Sequence, residues 1–275
     1  MKQKVVLFCF LILLTNYAFG QQSDPGIKSH AALVVNAQSG QIVYDKNADM
    51  VMPIASITKL MTAMVILDAR LPADELITIE KADIDKLKNT SSRLPIGSSY
   101  ARQELLRLAL MSSENRAAAA LGRTYPGGTR AFVHAMNNKA KQIGMSSSHF
   151  VDSTGLSSGN VATARDLSKL VAASHNYLTI RKFSTTPQHV VTPLKRHGQL
   201  QFVNSNSLVR NQNWEIDVSK TGYLSEAGRC LVLHAKIKGQ SVVIVLLNSW
   251  GKNTRIGDAN RVKKWLENNQ RRKQV

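Results

Sequence analysis

A serine and a lysine lie one helical turn apart at Ser56 and Lys59, in "IASITKLM", at the head of the apolar run "ITKLMTAMVILDA". On a helix, positions i and i+3 share a face, so the lysine amine reaches the serine hydroxyl. Serine is a poor nucleophile until a neighbour takes its proton. Lysine can take it only if burial or a second cation lowers its pKa. The ordinary reading of such a pair is a serine cap followed by a lysine whose stem lies along the surface. The rest of the chain argues for chemistry instead. "MSSENRAAA" sets Ser113 and Asn115 in a break between two helical stretches, where Ser113 can relay a proton and Asn115 can hold a substrate amide. Ser158 and Asn160 repeat the same spacing, but the first copy follows the nucleophile and sits at a helix–helix corner. Lys220-Thr221-Gly222 closes the strand-like run "WEIDVSKTG". There Lys220 fixes an anion and supplies the second cation, and Thr221 offers a hydroxyl to a carboxylate. Gly222 lets a peptide lie along the strand edge. The backbone N–H groups of Ser56 and Tyr223 complete the set as an oxyanion hole.

These residues need elements to carry them. "AALVVNAQSGQIVYDKNAD" reads as two strands joined at Gln38-Ser39-Gly40. Ser56 to about Ala69 is apolar nearly all round, the mark of a central buried helix. From Leu71 to about Lys195 the pattern is mostly helical and loop-like, with helices in "RQELLRLALM", "ENRAAAALGR", "GTRAFVHAMNNKAKQIG" and "TARDLSKLVAASH". Thr163 and Asp166 give the last of these a capping-box-like start. "CLVLHAKIKGQSVVIVLLNSW" is a hairpin turning at Lys238-Gly239-Gln240, and a final helix runs from about Thr254 to Asn268. Strands at both ends with helices between them predict an α+β fold: an antiparallel sheet flanked by helices, with a helical lobe, roughly 71–195, inserted.

Residues 1–20 read as a signal peptide, with Lys2 and Lys4 before "VVLFCFLILL" and small residues Ala18 and Gly20 ahead of a cleavage site near Gly20–Gln21. Export to the periplasm follows, with 21–275 as the catalytic domain. Removing Lys2 and Lys4 lowers the net charge from +18 to +16. Outside the cytoplasm that charge suits envelope polyanions rather than nucleic acid, and it allows peripheral association with the envelope. Cys230, the one cysteine outside the leader, falls in a strand-like run and reads as a buried small hydrophobe. The seven histidines show no ligand spacing, so neither a metal nor a cofactor is expected.

Ser-x-x-Lys, Ser-x-Asn and Lys-Thr-Gly in this order form the signature of penicillin-binding proteins and serine β-lactamases. "IASITKLMTAMVILDA", "LMSSENRAAAALGRTYPGG", "DSTGLSSGNVATARDL" and "SKTGYLSEAGRCLV" resemble the low-molecular-mass D-alanyl-D-alanine peptidases, the soluble endopeptidase type above all. The resemblance covers nearly all of the chain beyond the leader. It implies their two-lobed fold, an acyl-serine mechanism on peptidoglycan, no metal, and covalent inhibition by β-lactams. A class A β-lactamase also needs a glutamate between the second and third motifs. Between Glu114 and Glu215 there is none, and Asp152 and Asp166 have local roles in a loop and a helix start. A D-alanyl-D-alanine carboxypeptidase is the main alternative. Leu224 stands where many relatives carry a threonine that helps bind a terminal carboxylate, which leans toward the endopeptidase. A penicillin sensor fits less well, because no signalling segment is visible, and so does an inactive wall-binding module, because Ser56, Lys59 and Lys220 are all retained.

Overall fold

The computed structural model describes residues 24–194, 198–211 and 213–273; the leader lies outside them. Strands β1 (Ala31–Asn36) and β2 (Ile42–Lys46) form the expected hairpin. β3 (Met52–Pro53) enters a 3-10 turn, Ala55–Ile57, that runs directly into helix α1 (Thr58–Asp68). Two short strands, β4 (Leu76–Thr78) and β5 (Ser99–Ala101), pair across a long loop. Helices α2 (Arg102–Met111), α3 (Asn115–Arg123) and α4 (Gly128–Gln142) follow. Then come β6 (Val161–Ala162), which pairs with β3, and helices α5 (Ala164–His175) and α6 (Leu178–Ser184). A ribbon of β7 (Gln188–Val191) and β8 (Leu200–Val203) leads to three long strands: β9 (Glu215–Leu224), β10 (Gly228–Ile237) and β11 (Gln240–Ser249). Helix α7 (Thr254–Lys273) closes the chain.

The main sheet is antiparallel in the order β2-β1-β11-β10-β9, so both termini build it, as the strand pattern predicts. Its central strand β11 is buried on both faces from Val242 to Leu247, which is why "VVIVLL" shows no alternation. The β10–β11 turn has Lys238 at φ 50° and Gly239 at φ 78°. Two positive φ values define the type I′ turn that matches sheet twist. One face of the sheet packs under α7 through Val262, Trp265 and Leu266. The other packs on α5 and, beyond it, on α1.

Helix α1 is buried along its whole face from Thr58 to Ile66, with α2, α3, α4, α5 and α6 arranged around it. This explains the absence of any polar stripe in its sequence. Helix α5, read from sequence as one more helix of the middle segment, lies across β1, β9, β10 and β11. Thr163 caps it as expected, accepting from the Asp166 N–H. The Asp166 carboxylate, however, accepts from Ser147 N and Ser148 Oγ, so it ties the preceding loop to the helix instead of completing a capping box.

Candidate active site

Ser56 sits on the 3-10 turn that precedes α1, so its hydroxyl is placed at the end of the central helix rather than along it. Ala55 beside it holds φ 47°, a left-handed conformation that costs a non-glycine residue about 1–2 kcal/mol. Two glycines press on this turn. A Cβ on Gly155 would lie 2.1 Å from the Ala55 carbonyl oxygen, and one on Gly222 would lie 2.9 Å from the Ile54 carbonyl oxygen. The sequence reading gave Gly222 to an approaching peptide. Its missing side chain is required first by the chain's own turn.

Lys59, the second residue of α1, is fully buried. Its Nζ is 2.8 Å from Ser56 Oγ, 2.8 Å from Asn115 Oδ1 and 2.6 Å from the Thr154 carbonyl oxygen. Three acceptors match the three hydrogens of an ammonium. The neutral amine keeps two donors, for Asn115 and Thr154, and turns its lone pair to the Ser56 hydroxyl. Burial pulls the Lys59 pKa from 10.5 to about 7, against the opposing pull of Asp152, Glu114 and Asp85. Of the two causes expected, burial is the one that lowers it. Lys220 is 1% exposed, and its own pKa falls well below the ordinary lysine value through burial first, then Lys59 and Arg255.

Opposite Ser56, Lys220 Nζ donates to Ser113 Oγ at 2.9 Å and to the Thr221 carbonyl at 2.8 Å. Ser113 occupies the α2–α3 break with φ 62°. A non-glycine residue held left-handed between two helices is the kind of strain that persists where the surroundings fix it. Asn115 opens α3, and its Nδ2 donates to Thr90 Oγ1 at 2.8 Å. Both ends of its amide are thus engaged by the chain, and it holds Lys59. Thr221 Oγ1 meets Ser205 Oγ at 2.7 Å, and Arg255 Nη1 donates to the Gly222 carbonyl at 2.8 Å. Tyr223, next along β9, is 56% exposed. The motif residues of the sequence reading are thus brought together where the Ser56 turn and α1, the α2–α3 break and β9 meet.

The second Ser-x-Asn copy is elsewhere in kind. Asn160 is fully buried, accepts from Val151 N and donates to Asp152. Asp152 in turn accepts from the Thr154 N–H and hydroxyl and from the N–H groups of Gly155 and Ser157. Burial opposes its ionisation, but these bonds win and hold its pKa below the usual value. This knot presents the Thr154 carbonyl to Lys59 and Gly155 to the Ser56 turn. Sequence reasoning missed Thr154, Gly155, Thr90 and Arg255; the one signal present was "DSTG", an Asp followed two and three residues on by N–H donors.

Leu224 is 5% exposed and belongs to the core. A threonine there buries a hydroxyl, so the residue is in the first place a packing residue. Cys230 is buried as expected, with its thiol pushed up to about 11. His175, Asp217 and His234 converge from α5, β9 and β10 although nothing in their spacing shows it. Asp217 Oδ2 lies 3.4 Å from His175 Nε2 and 3.2 Å from His234 Nδ1. The two rings stack at 3.8 Å with a 21° tilt. A cavity of about 460 Å³ between α1, α2 and α6 contains none of the motif residues.

A serine on a tight turn 2.8 Å from a buried amine, near a second Ser–Lys pair, is an arrangement able to carry out acyl transfer by a serine that uses lysine in place of imidazole. Comparison with known proteins narrows this. Residues 19–251 match the peptidase S11 family, described as D-alanyl-D-alanine carboxypeptidase, and the chain belongs to that family. It is 47% identical over 244 residues to a D-alanyl-D-alanine endopeptidase of Pseudomonas aeruginosa, covering 89% of this chain and 79% of that protein. It is 46% identical over 245 residues to one of Escherichia coli, with the same coverage of 89% and 79%. Among solved structures, the Streptomyces K15 DD-transpeptidase matches with TM-score 0.82 at 29% identity, covering 88% of this chain and 98% of that one. Penicillin-binding protein D2 of Listeria monocytogenes, in its ampicillin-bound form, matches with TM-score 0.75 at 29% identity, covering 88% and 99%. The α+β fold expected from the strand and helix pattern is the fold of this family.

Proposed function

We propose that the chain is a serine DD-peptidase that hydrolyses D-alanyl cross-links of peptidoglycan through an acyl-serine intermediate on Ser56. The observation that carries this is the 2.8 Å contact between the fully buried Lys59 amine and Ser56 Oγ. Neutral Lys59 takes the Ser56 proton as Oγ attacks the D-alanyl carbonyl carbon. The oxyanion lies against the backbone N–H groups of Ser56 and Tyr223. Ser113, held by Lys220, relays that proton from Lys59 to the leaving amine, which leaves Lys59 neutral and Ser113 a hydroxyl again. Water then cleaves the ester, with the same groups acting in reverse. Lys220 and Thr221 attract a substrate carboxylate, and Asn115 keeps Lys59 in register. No step calls for a metal or a cofactor.

Residues 21–275 form the catalytic domain in this reading, with the helical lobe at roughly 71–195. The leader directs export, and the periplasm is the site of action. The +16 charge draws the enzyme to the acidic mesh rather than to nucleic acid. β-Lactams mimic the scissile bond and acylate Ser56; the ampicillin-bound relative supports this.

Endopeptidase is favoured over carboxypeptidase because the relatives at 47%, 46% and 36% identity carry the endopeptidase name, whereas those named carboxypeptidase stand at 26–29%. In a competition between equal amounts of a cross-linked muropeptide dimer and a pentapeptide monomer, followed by chromatography, dimer cleavage is expected to be the faster reaction. Release of D-alanine from the monomer ahead of dimer cleavage makes the enzyme a carboxypeptidase.

A further inference from the structure

Next to Gly222 along β9, Tyr223 borders a concavity of about 250 Å³ whose other walls include Gly228, Arg229, Asn248, Trp250 and Lys252. Trp250 is 82% exposed, an unusual position for so large an apolar surface. The Arg229 guanidinium lies 4.4 Å from the centre of the Tyr223 ring, which fixes its direction. No acidic residue lines the concavity, and among the described residues neither Arg229 nor Lys252 has a carboxylate partner. The one acid nearby in sequence, Glu226, is paired with Lys88.

The backbone here is built to this shape. The β10–β11 register shifts between Arg229 and Leu231, and bulges of this kind re-aim side chains beside sites. Gly228 at φ 60° and Asn248 at φ 49° face each other across the bulge, where a Cβ on Gly228 would lie 2.3 Å from Asn248 Oδ1. Arg229 lies over Tyr223, and Trp250 lines the same concavity. Tyrosine, tryptophan and arginine are the side chains that dominate binding hot spots.

We infer that Tyr223, Arg229, Trp250 and Lys252 form a subsite for a carboxylate-bearing stretch of the stem peptides that flank the scissile D-alanyl bond. This rests on the peptidoglycan reading above and deepens it. The two cations meet the carboxylate while Tyr223 and Trp250 cover the apolar parts of the stem. Penicillin acylates Ser56 without a stem peptide, so its acylation provides a readout of the chemistry alone.

The test compares kcat/KM for a muropeptide dimer with the second-order rate of penicillin acylation. Arg229→Ala is expected to lower dimer cleavage about tenfold, and exposed Lys252→Ala about two- to threefold. Trp250→Ala is expected to lower it about fivefold. Penicillin acylation stays within about twofold in all three. A dimer whose carboxyl groups are amidated is expected to be cleaved equally fast by the wild type and by Arg229→Ala, because the carboxylate that Arg229 meets is then gone. Dimer cleavage at the wild-type rate in Arg229→Ala/Trp250→Ala, or a parallel fall in penicillin acylation, overturns the subsite. If the wild type trims only the pentapeptide monomer, the endopeptidase reading fails, and the same variants assayed on the monomer still decide the subsite.

Discussion

Lys59→Arg is expected to lose penicillin acylation by about a thousandfold or more while retaining the fold. Arginine keeps its proton at any working pH, so it can donate to Asn115 and Thr154 but cannot accept from Ser56. General-base catalysis is worth about a hundred- to ten-thousandfold, and the misfit of a longer side chain adds to that. The wild type supplies the matching pH signature. With the Lys59 pKa near 7, the neutral amine falls tenfold for each pH unit below that value. Acylation should therefore rise with pH up to about 7 and then level. The sign is fixed by which form acts: a lysine acting as a cation would give the opposite limb. Lys59→Met, which keeps the stem without the charge, should match Lys59→Arg in lost acylation. Substantial labelling of either variant places the base elsewhere.

Gly155→Ala is expected to be the most damaging single methyl group near the site. At φ 79° an alanine is strained wherever it sits, and here its Cβ also falls 2.1 Å from the Ala55 carbonyl oxygen. The turn that carries Ser56 must move. A displacement of about 1 Å at a reacting atom costs about a hundredfold in rate, and the collision costs about 2–4 kcal/mol of stability. Gly40→Ala separates the two effects, since Gly40 has φ 71° with nothing within 4 Å of the added carbon. It should cost about 1 kcal/mol, measured as a shift in thermal midpoint, with acylation unchanged. Normal acylation in Gly155→Ala means that the turn does not need the glycine.

The contrast between these two residues shows what the sequence made legible. Ser56, Lys59, Ser113, Lys220 and Thr221 announce themselves because their types and spacing are chemical. A buried helix headed by polar groups, and serines in a helix break, are visible as conflicts between local pattern and residue type. The long hairpin of β10 and β11 is equally plain, because its β-branched runs and Lys238-Gly239 turn agree with each other. Gly155 and Thr154 are silent for the opposite reason. They act through a carbonyl and an absent side chain, and their neighbours at Ala55 and Lys59 are about a hundred residues away in the chain. Asp152 looked like a loop residue and is one, yet the loop it ties is what orients the lysine. Helix α6 went unread because its seven residues, "LTIRKFS", are too few to show a period and include β-branched residues. Asn115 and Gly222 were found by motif but given outward-facing duties, whereas their observed partners are Lys59, Thr90 and the turn at Ile54–Ser56. The convergence of His175, Asp217 and His234 is likewise a product of topology that no local spacing records.

The central claim is that Ser56 is the atom acylated. Digestion of the penicillin-treated protein followed by mass spectrometry should place the whole penicilloyl mass on the peptide containing Ser56, and Ser56→Ala should carry none. An adduct on the Ser113 peptide, or labelling that survives Ser56→Ala, contradicts the account.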